Sequence, residues 1–280
     1  MATDKYAVIG WPVEHSVSPQ MQQAGFDALG LEACYERLAV PPGQLGDAIE
    51  RLRTEAYAGW NVTVPHKEQV GAFLDEVHPH AERGGSINTV ANRNGRLTGY
   101  STDGYGLAAA LKESFDLDVP GCALAFVGAG GAARATAVYL AARGAAKIVL
   151  VNRTLAKAEA VADLVTQIAP NCRTLCLPPL NEEEVRAMLP TVDAVVQATS
   201  LGLQESDPLP LPAHVLPGAG CVMDMIYRRT PFLAAAEALG CRVADGRGML
   251  LHQGARSLQI WTGQEPPVDI MRAALDTALA

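Results

Sequence analysis

Two sets of residues in this sequence could carry chemistry. The first is Gly128-Ala129-Gly130-Gly131-Ala132-Ala133, which follows the apolar run 122–127 and opens an apolar helical stretch. This is the G-x-G-x-x-A form of a dinucleotide-binding turn. The first glycine permits the tight turn, the second lets a pyrophosphate approach the backbone, and the small third residue lets helix and sheet pack closely. The next apolar run, 147–151, ends at Asn152-Arg153-Thr154, where an NAD enzyme carries an acid for the ribose hydroxyl. Arg153 instead offers a planar guanidinium to a 2′-phosphate, Thr154 adds a hydroxyl and Lys157 a second cation one turn on. This choice of residues predicts NADP. The bland reading is a solvated helix start with Thr154 as its N-cap.

The second set is scattered but ordered. Ser16 and Ser18 follow the first strand candidate, Thr63 and Lys67 the third, Asn88 lies in Ser-Ile-Asn-Thr-Val, and Asp103 follows a hairpin. In open α/β sheets the carboxyl ends of the strands form the ligand-binding edge. Each residue also has an ordinary reading: Ser18 as an N-cap, Lys67 as a surface residue, Asp103 as the cap of the next helix. Together they offer hydroxyls, an amide, one acid and one amine, a set suited to a small polyhydroxylated acid.

The elements that must position these residues alternate between strand and helix patterns. Strands are predicted at 5–10, 33–40, 59–64, 87–92 and 96–100, and helices at 18–29, 43–56 and 66–74. Asn94-Gly95 marks a hairpin. Pro120-Gly121 marks a break after a helix at 104–114. A second run follows, with strands at 122–127, 147–151, 192–198, 220–225 and 241–244 and helices at 131–143 and 154–168. Two more helices close the chain, at 248–262 and 268–279. The fold class is α/β with two domains, the second of the mononucleotide-binding kind.

Composition narrows the partners. The 280 residues carry a net charge of −8, which disfavours nucleic acid. There is no long apolar stretch for a membrane and no signal-peptide pattern at the start. The six cysteines are scattered, and four lie in apolar runs, which predicts reduced thiols and a cytoplasmic location. The six histidines form no helical i, i+4 pair, His78-Pro79-His80 reads as a loop, and no metal is expected. His15 and His66 read as structural residues of motif turns.

Nine strings occur in the order of a known family. They are Gly10-x-Pro12-x-x-His15-Ser16-x-Ser18-Pro19; Asn61-Val-Thr63-Val-Pro65-His-Lys67; Ile87-Asn88-Thr89-Val90; Thr102-Asp103-Gly104; Gly128-Ala-Gly-Gly-Ala132; Asn152-Arg-Thr154; Ala198-Thr-Ser200-x-Gly202; Asp224-Met-x-Tyr227; and Gly246-x-Gly248-Met-Leu-x-x-Gln253. Over essentially its whole length the chain resembles the shikimate dehydrogenase family. The resemblance implies a substrate domain of residues 1–103 plus 247–280 and a Rossmann NADP-binding domain of 104–246, separated by a cleft. It implies reversible, NADPH-dependent reduction of 3-dehydroshikimate to shikimate, a step toward chorismate and the aromatic amino acids, by a monomer or homodimer.

The resemblance also implies roles. Ser16 and Ser18 would hold the carboxylate. Thr63, Asn88, Asp103, Tyr227 and Gln253 would contact the ring hydroxyls or carboxylate. Gly128, Ala129, Gly130, Gly131 and Ala132, with Asn152, Arg153, Thr154 and Lys157, would hold NADP. Thr199, Ser200, Met225 and Gly246 would lie along it. Lys67 and Asp103 would be the catalytic pair, and which of them carries the proton stays open. Two departures bear on substrate preference: Gln22 and Gln23 replace a common His-Asn, and Ser101 replaces an Asn. They motivate quinate or an amino-shikimate as alternative substrates. A catalytically silent NADP-binding sensor and a folate-linked dehydrogenase are the other readings.

Overall fold

The computed structural model describes residues 3–204, 206–218 and 220–280. The chain divides into two compact units, Met1–Gly106 with Leu251–Ala280, and Leu107–Leu250.

The first unit contains β1 (Asp4–Gly10), α1 (Ser18–Ala28), β2 (Ala33–Ala39), α2 (Leu45–Thr54), β3 (Gly59–Val62), β4 (Glu76–Val77), α3 (Pro79–Gly84), β5 (Thr89–Arg93) and β6 (Arg96–Tyr100). The helix α4 (Asp103–Phe115) begins in it. Its six strands lie in the order β2-β1-β3-β5-β6-β4. β1 pairs in parallel with β2 and β3, while β3, β5 and β6 pair antiparallel. β1 is buried from Tyr6 to Gly10, as expected of a strand covered on both faces. The β5–β6 turn has φ of 55° at Asn94 and 86° at Gly95, the two positive values that a type I′ turn needs.

The second unit continues with β7 (Ala123–Val127), α5 (Gly131–Ala142), β8 (Lys147–Val151), α6 (Leu155–Ile168), β9 (Arg173–Leu177), α7 (Glu182–Met188), β10 (Ala194–Gln197), β11 (Cys221–Asp224), α8 (Pro231–Ala238) and β12 (Arg242–Ala244). All strand pairs are parallel, in the order β12-β11-β10-β7-β8-β9. Counted from its own first strand this is the 3-2-1-4-5-6 order of doubly wound sheets, with the switch point between β7 and β10.

The chain ends with α9 (Arg247–Thr262) and α10 (Val268–Ala278). Trp261 of α9 anchors this tail to the first sheet. Its indole N–H donates to the Val90 carbonyl at 2.9 Å, and its ring lies 5.1 Å from Tyr6 and 6.1 Å from Tyr35. Gly59 leaves the room: a Cβ there would stand 2.3 Å from the indole nitrogen.

Several local expectations are corrected. In place of a helix at 66–74 there is a turn and a 3-10 helix, Val70–Phe73. The Lys67 carbonyl, which an α-helix would give to its own backbone, accepts the Ile87 N–H at 2.8 Å. His78-Pro79-His80 is not a loop but the start of α3, with His78 as N-cap and Gly85 in the left-handed region at φ 59°. Proline at the start and glycine at the end were the available signals. Asn88 precedes β5 rather than lying in it. β9, α7 and α8 also escape the periodicity, although Thr230-Pro231 is a helix-start signal and the Thr230 hydroxyl does cap α8.

Candidate active site

Part of the polar set of the first unit, Asp103 and through it Lys67, gathers at Asn88. The Thr102 backbone N–H donates to Asn88 Oδ1 at 2.8 Å. A backbone N–H can only donate, so this bond fixes which end of the carboxamide is the oxygen. Asn88 Nδ2 is thereby turned toward Asp103 Oδ1, 2.9 Å away, the Thr102 hydroxyl at 2.8 Å and Gln253 Oε1 at 3.1 Å. The other carboxyl oxygen of Asp103 accepts from Lys67 Nζ at 2.6 Å. Both neighbours therefore reach Asp103 as donors, the arrangement of a carboxylate. The Asp103 side chain is 5% exposed and that of Lys67 24%, so the pair is sunk behind an amine that solvent or a ligand can still reach.

A buried polar layer backs this pair. Asn61 Nδ2 donates to the Asn88 carbonyl and to Ser257 Oγ at 3.0 Å each, and Thr89 Oγ1 and Ser257 Oγ are 2.7 Å apart. The Tyr35 hydroxyl closes the chain by donating to Asn61 Oδ1 at 2.7 Å, and burial pushes its acidity well below that of an ordinary phenol. Asn61, Thr89, Thr102 and Ser257 had no assigned role. A polar residue inside the apolar strand Gly59–Val62, and a serine one helical turn after Gln253, were the signals.

Ser16 lies on the segment between β1 and α1, and Ser18 is the first residue of α1. Ser16 Oγ accepts the Ser18 N–H at 3.3 Å, and the Ser16 carbonyl accepts from Arg37 Nε at 2.7 Å. Ser18 is not the N-cap: Val17 holds that position and no side chain caps the helix. Thr63 lies against the end of β1, where a Cβ on Gly10 would stand 2.3 Å from its methyl group. His66 is buried, with Nε2 at 2.6 Å from the Val40 carbonyl, in keeping with a structural role.

Of the two glutamines that cast doubt on the ligand site, Gln23 is held away from it. Gln22 is fully buried and donates to the Gly254 carbonyl at 2.9 Å, tying α1 to α9 beside Gln253. Gln23 bonds Asp27, the Ala33 carbonyl and the Tyr35 N–H, at the start of β2 and so at the opposite end of the strands from Lys67. The expectation that Gln23 borders the ligand is corrected: it latches α1 to β2.

In the second unit the glycine turn has the form that a dinucleotide requires. Gly128 has φ 111°, and a Cβ there would stand 2.9 Å from Thr199 Cγ2. Gly130 is different. Its φ is −78°, and a Cβ would meet nothing within 4 Å. Neither backbone nor packing demands glycine at 130, so what the missing side chain provides is open room above the first turn of α5. Gly130 caps α5 and has no side chain to serve its first N–H groups. These observations fit a pyrophosphate at residues 128–132. Ala133 is fully buried and lets α5 lie on the sheet.

At the end of β8, Asn152 Nδ2 donates to the Thr154 carbonyl at 2.8 Å and shapes the turn. Thr154 is positionally the N-cap of α6, but its hydroxyl makes no capping bond. Arg153 and Lys157 are exposed and, among the described residues, form no ion pair. Thr199 Oγ1 accepts the Leu201 N–H at 3.1 Å, Ser200 is exposed, and Gly246 lies so close to Met225 that a Cβ would stand 2.2 Å from its carbonyl oxygen. Tyr227 belongs to this unit, in the turn after β11, and is 38% exposed. The second unit thus contains every residue expected along the cofactor, and the first unit every residue expected on the substrate except Tyr227.

Among the described residues no group of three or more His, Cys, Asp or Glu side chains could hold a metal ion, and no helix is long and apolar enough to cross a membrane. All six cysteines are free thiols.

Three sequence profiles match the chain: the shikimate dehydrogenase substrate binding domain over residues 8–90, shikimate / quinate 5-dehydrogenase over 109–203, and the shikimate 5'-dehydrogenase C-terminal domain over 246–275. The shikimate dehydrogenase (NADP(+)) of Symbiobacterium thermophilum is 42% identical, the match covering 97% of this chain and 93% of that protein. Among solved structures, shikimate 5-dehydrogenase of Thermus thermophilus in complex with NADP(H) and shikimate superimposes with a TM-score of 0.86 at 37% identity, covering 98% and 99% of the two chains. Quinate dehydrogenase of Corynebacterium glutamicum in complex with NAD has a TM-score of 0.88, covering 98% and 99%, but is only 27% identical.

The hub position of Asn88 has a measurable consequence. Asn88→Ala strands the Thr102 N–H and one oxygen of Asp103 without their partner. We expect a loss of about 2–4 kcal/mol in unfolding free energy, read from denaturant midpoints of wild type and variant.

Proposed function

The chain belongs to the shikimate dehydrogenase family, and from that premise we propose how its two units share one reaction. The protein is an NADP-dependent oxidoreductase that interconverts 3-dehydroshikimate and shikimate. The first unit takes the substrate and the second the cofactor. The observation that carries this reading is the Lys67–Asp103 ion pair, 2.6 Å long and oriented by Asn88, at the ligand edge of the first sheet.

Oxidation of a secondary alcohol needs a proton acceptor and a hydride acceptor. Bound to the second unit, NADP+ would supply the hydride acceptor and NADPH the hydride donor. The residues of this chain move the proton. Asp103 keeps its carboxylate toward Lys67 and Asn88, and the amine of Lys67 reaches the reacting hydroxyl. In the reducing direction Lys67 donates a proton to the oxygen as charge develops on it. Ser16 and Ser18 bind the substrate carboxylate through hydroxyls, with Arg37 holding the Ser16 carbonyl from behind. Thr63, Asn88, Gln253 and Tyr227 read the remaining oxygens. Residues 128–132 hold the pyrophosphate on the start of α5, and Arg153, Thr154 and Lys157 hold the 2′-phosphate. Asn152 keeps their turn in shape. Thr199, Ser200, Met225 and Gly246 line the remainder of the cofactor.

Shikimate is favoured over quinate by the higher identity to shikimate enzymes and by the structural position of Gln23. A cytoplasmic site of action suits the free thiols, four of which are buried.

Initial rates followed at the reduced-nicotinamide absorbance, with shikimate or quinate and with NADP+ or NAD+, test the reading. Shikimate with NADP+ should give the highest kcat/KM, and a preference for quinate or for NAD+ would overturn it. Replacing Lys67 by alanine should lower kcat by about 10²–10⁴-fold with little change in the shikimate KM, since a proton-transfer group acts mainly in the transition state. Near-normal turnover of that variant would remove Lys67 from the mechanism. Arg153→Ala should raise the KM for NADP+ and leave the weak use of NAD+ unchanged; an equal loss with both cofactors would mean that Arg153 does not contact the 2′-phosphate.

A further inference from the structure

We propose that Asp224 is a positioning residue for the cofactor edge of the second unit, its buried carboxylate bracing the turn after β10 against the turn after β11. The inference rests on the assignment of NADP to this unit.

Gln197 and Asp224 are register partners at the ends of β10 and β11. Both are fully buried. The Thr199 N–H donates to Gln197 Oε1, which fixes the orientation of that carboxamide as Thr102 fixes that of Asn88. Gln197 Nε2 then donates to the Leu201 carbonyl at 2.8 Å and faces Asp224 Oδ1 at 3.4 Å. Asp224 Oδ1 also accepts the Ile226 N–H at 2.9 Å, and Oδ2 accepts the Thr230 hydroxyl at 2.8 Å. The Met225 N–H returns to the Gln197 carbonyl at 3.0 Å.

Two turns are thus held by one pair of side chains. The first carries Thr199 and Ser200, the second Met225. The brace extends to the glycine turn as well, because Thr199 and the Ala198 carbonyl form the wall that a Cβ on Gly128 would strike at 2.9 and 3.0 Å.

Nothing in the local charge balance calls for an acid here. Among the described residues Asp224 has no ion-pair partner. Arg228 sends its guanidinium to the Gly202 and Leu203 carbonyls instead. Burial pushes the Asp224 carboxyl above the usual carboxylate range, against the pull of its three donors, and Asp245 adds to the rise. A buried carboxylate without a cation opposes folding. What it supplies is a set of acceptor directions that no apolar residue could offer, aimed at backbone and side-chain donors of the second turn and at Gln197 of the first.

Two variants separate this role from simple stability. Asp224→Ala deletes every acceptor. Asp224→Asn keeps an oxygen for Ile226 and Gln197 and can exchange donor and acceptor roles with the Thr230 hydroxyl. Steady-state kinetics should show the NADP+ KM raised about tenfold in Asp224→Ala, the equivalent of roughly one lost charge-assisted bond. Asp224→Asn should restore it to within about threefold, and the shikimate KM, which draws on Tyr227 alone from these turns, should rise by less than the NADP+ KM in Asp224→Ala. A folded Asp224→Ala enzyme with a normal NADP+ KM, an equal rise in both KM values, or no recovery in Asp224→Asn would overturn the proposal. If Asp224→Ala does not melt cooperatively, Thr230→Val decides: a rise of about threefold in the NADP+ KM supports the brace and an unchanged value overturns it. Fluorescence titration of the wild type with NADPH distinguishes the two levels of the argument. No binding would remove the cofactor assignment and this inference with it; normal binding alongside an unaffected Asp224→Ala would remove the inference alone.

Discussion

A carboxamide has one end that accepts and one that donates, and in the first unit a single backbone N–H decides which way it faces. Thr102 donates to Asn88 Oδ1, so Asn88 must present its NH2 to Asp103. With one oxygen of Asp103 taken by that donor, the other is left for Lys67. The ends of β3, the lead into β5, the start of α4 and the middle of α9 all contribute to this arrangement. It is buried, and an unpaired polar atom there would be costly, so the network is specified as a whole rather than bond by bond.

The second unit uses the same device for a different end. Gln197 is oriented by the Thr199 N–H and donates toward Asp224. Asp103 has a cation beside it that is partly exposed, whereas Asp224 has only neutral donors and is sealed. The first arrangement leaves an amine that can exchange a proton with a ligand. The second has no mobile proton to offer and holds backbone in place. In the roles proposed for them, two carboxylates beside carboxamides would serve chemistry in one unit and geometry in the other, and the difference is the presence of a lysine.

Sheet order adds a further constraint. The reversal between β7 and β10 sets the glycine turn beside the turn that carries Thr199, and the mutual exclusion of Gly128 and Thr199 makes them one surface. In the first sheet Gly10 and Thr63 have the same relation across β1 and β3. At both edges a glycine admits the neighbouring turn's threonine, which is how loops separated by 53 and 71 positions come to act as units.

Features built from contiguous residues were legible before any coordinates. The strand, glycine turn and helix at 123–142, the Asn94-Gly95 hairpin, the absence of an acid after β8 and the candidacy of Lys67 and Asp103 all depend on local propensity or on a short motif, and local sequence encodes both. The errors arose where a distant partner outcompeted the local preference. Residues 66–74 have helical spacing, but Ile87 takes the Lys67 carbonyl; Gln23 is near a ligand motif in sequence, yet β2 captures its side chain. The roles of Asn61, Thr89, Ser257 and Asp224 were invisible for the same reason. A hydrogen bond has a direction as well as a partner, and the direction exists only once strands and helices far apart in the chain have been packed against one another.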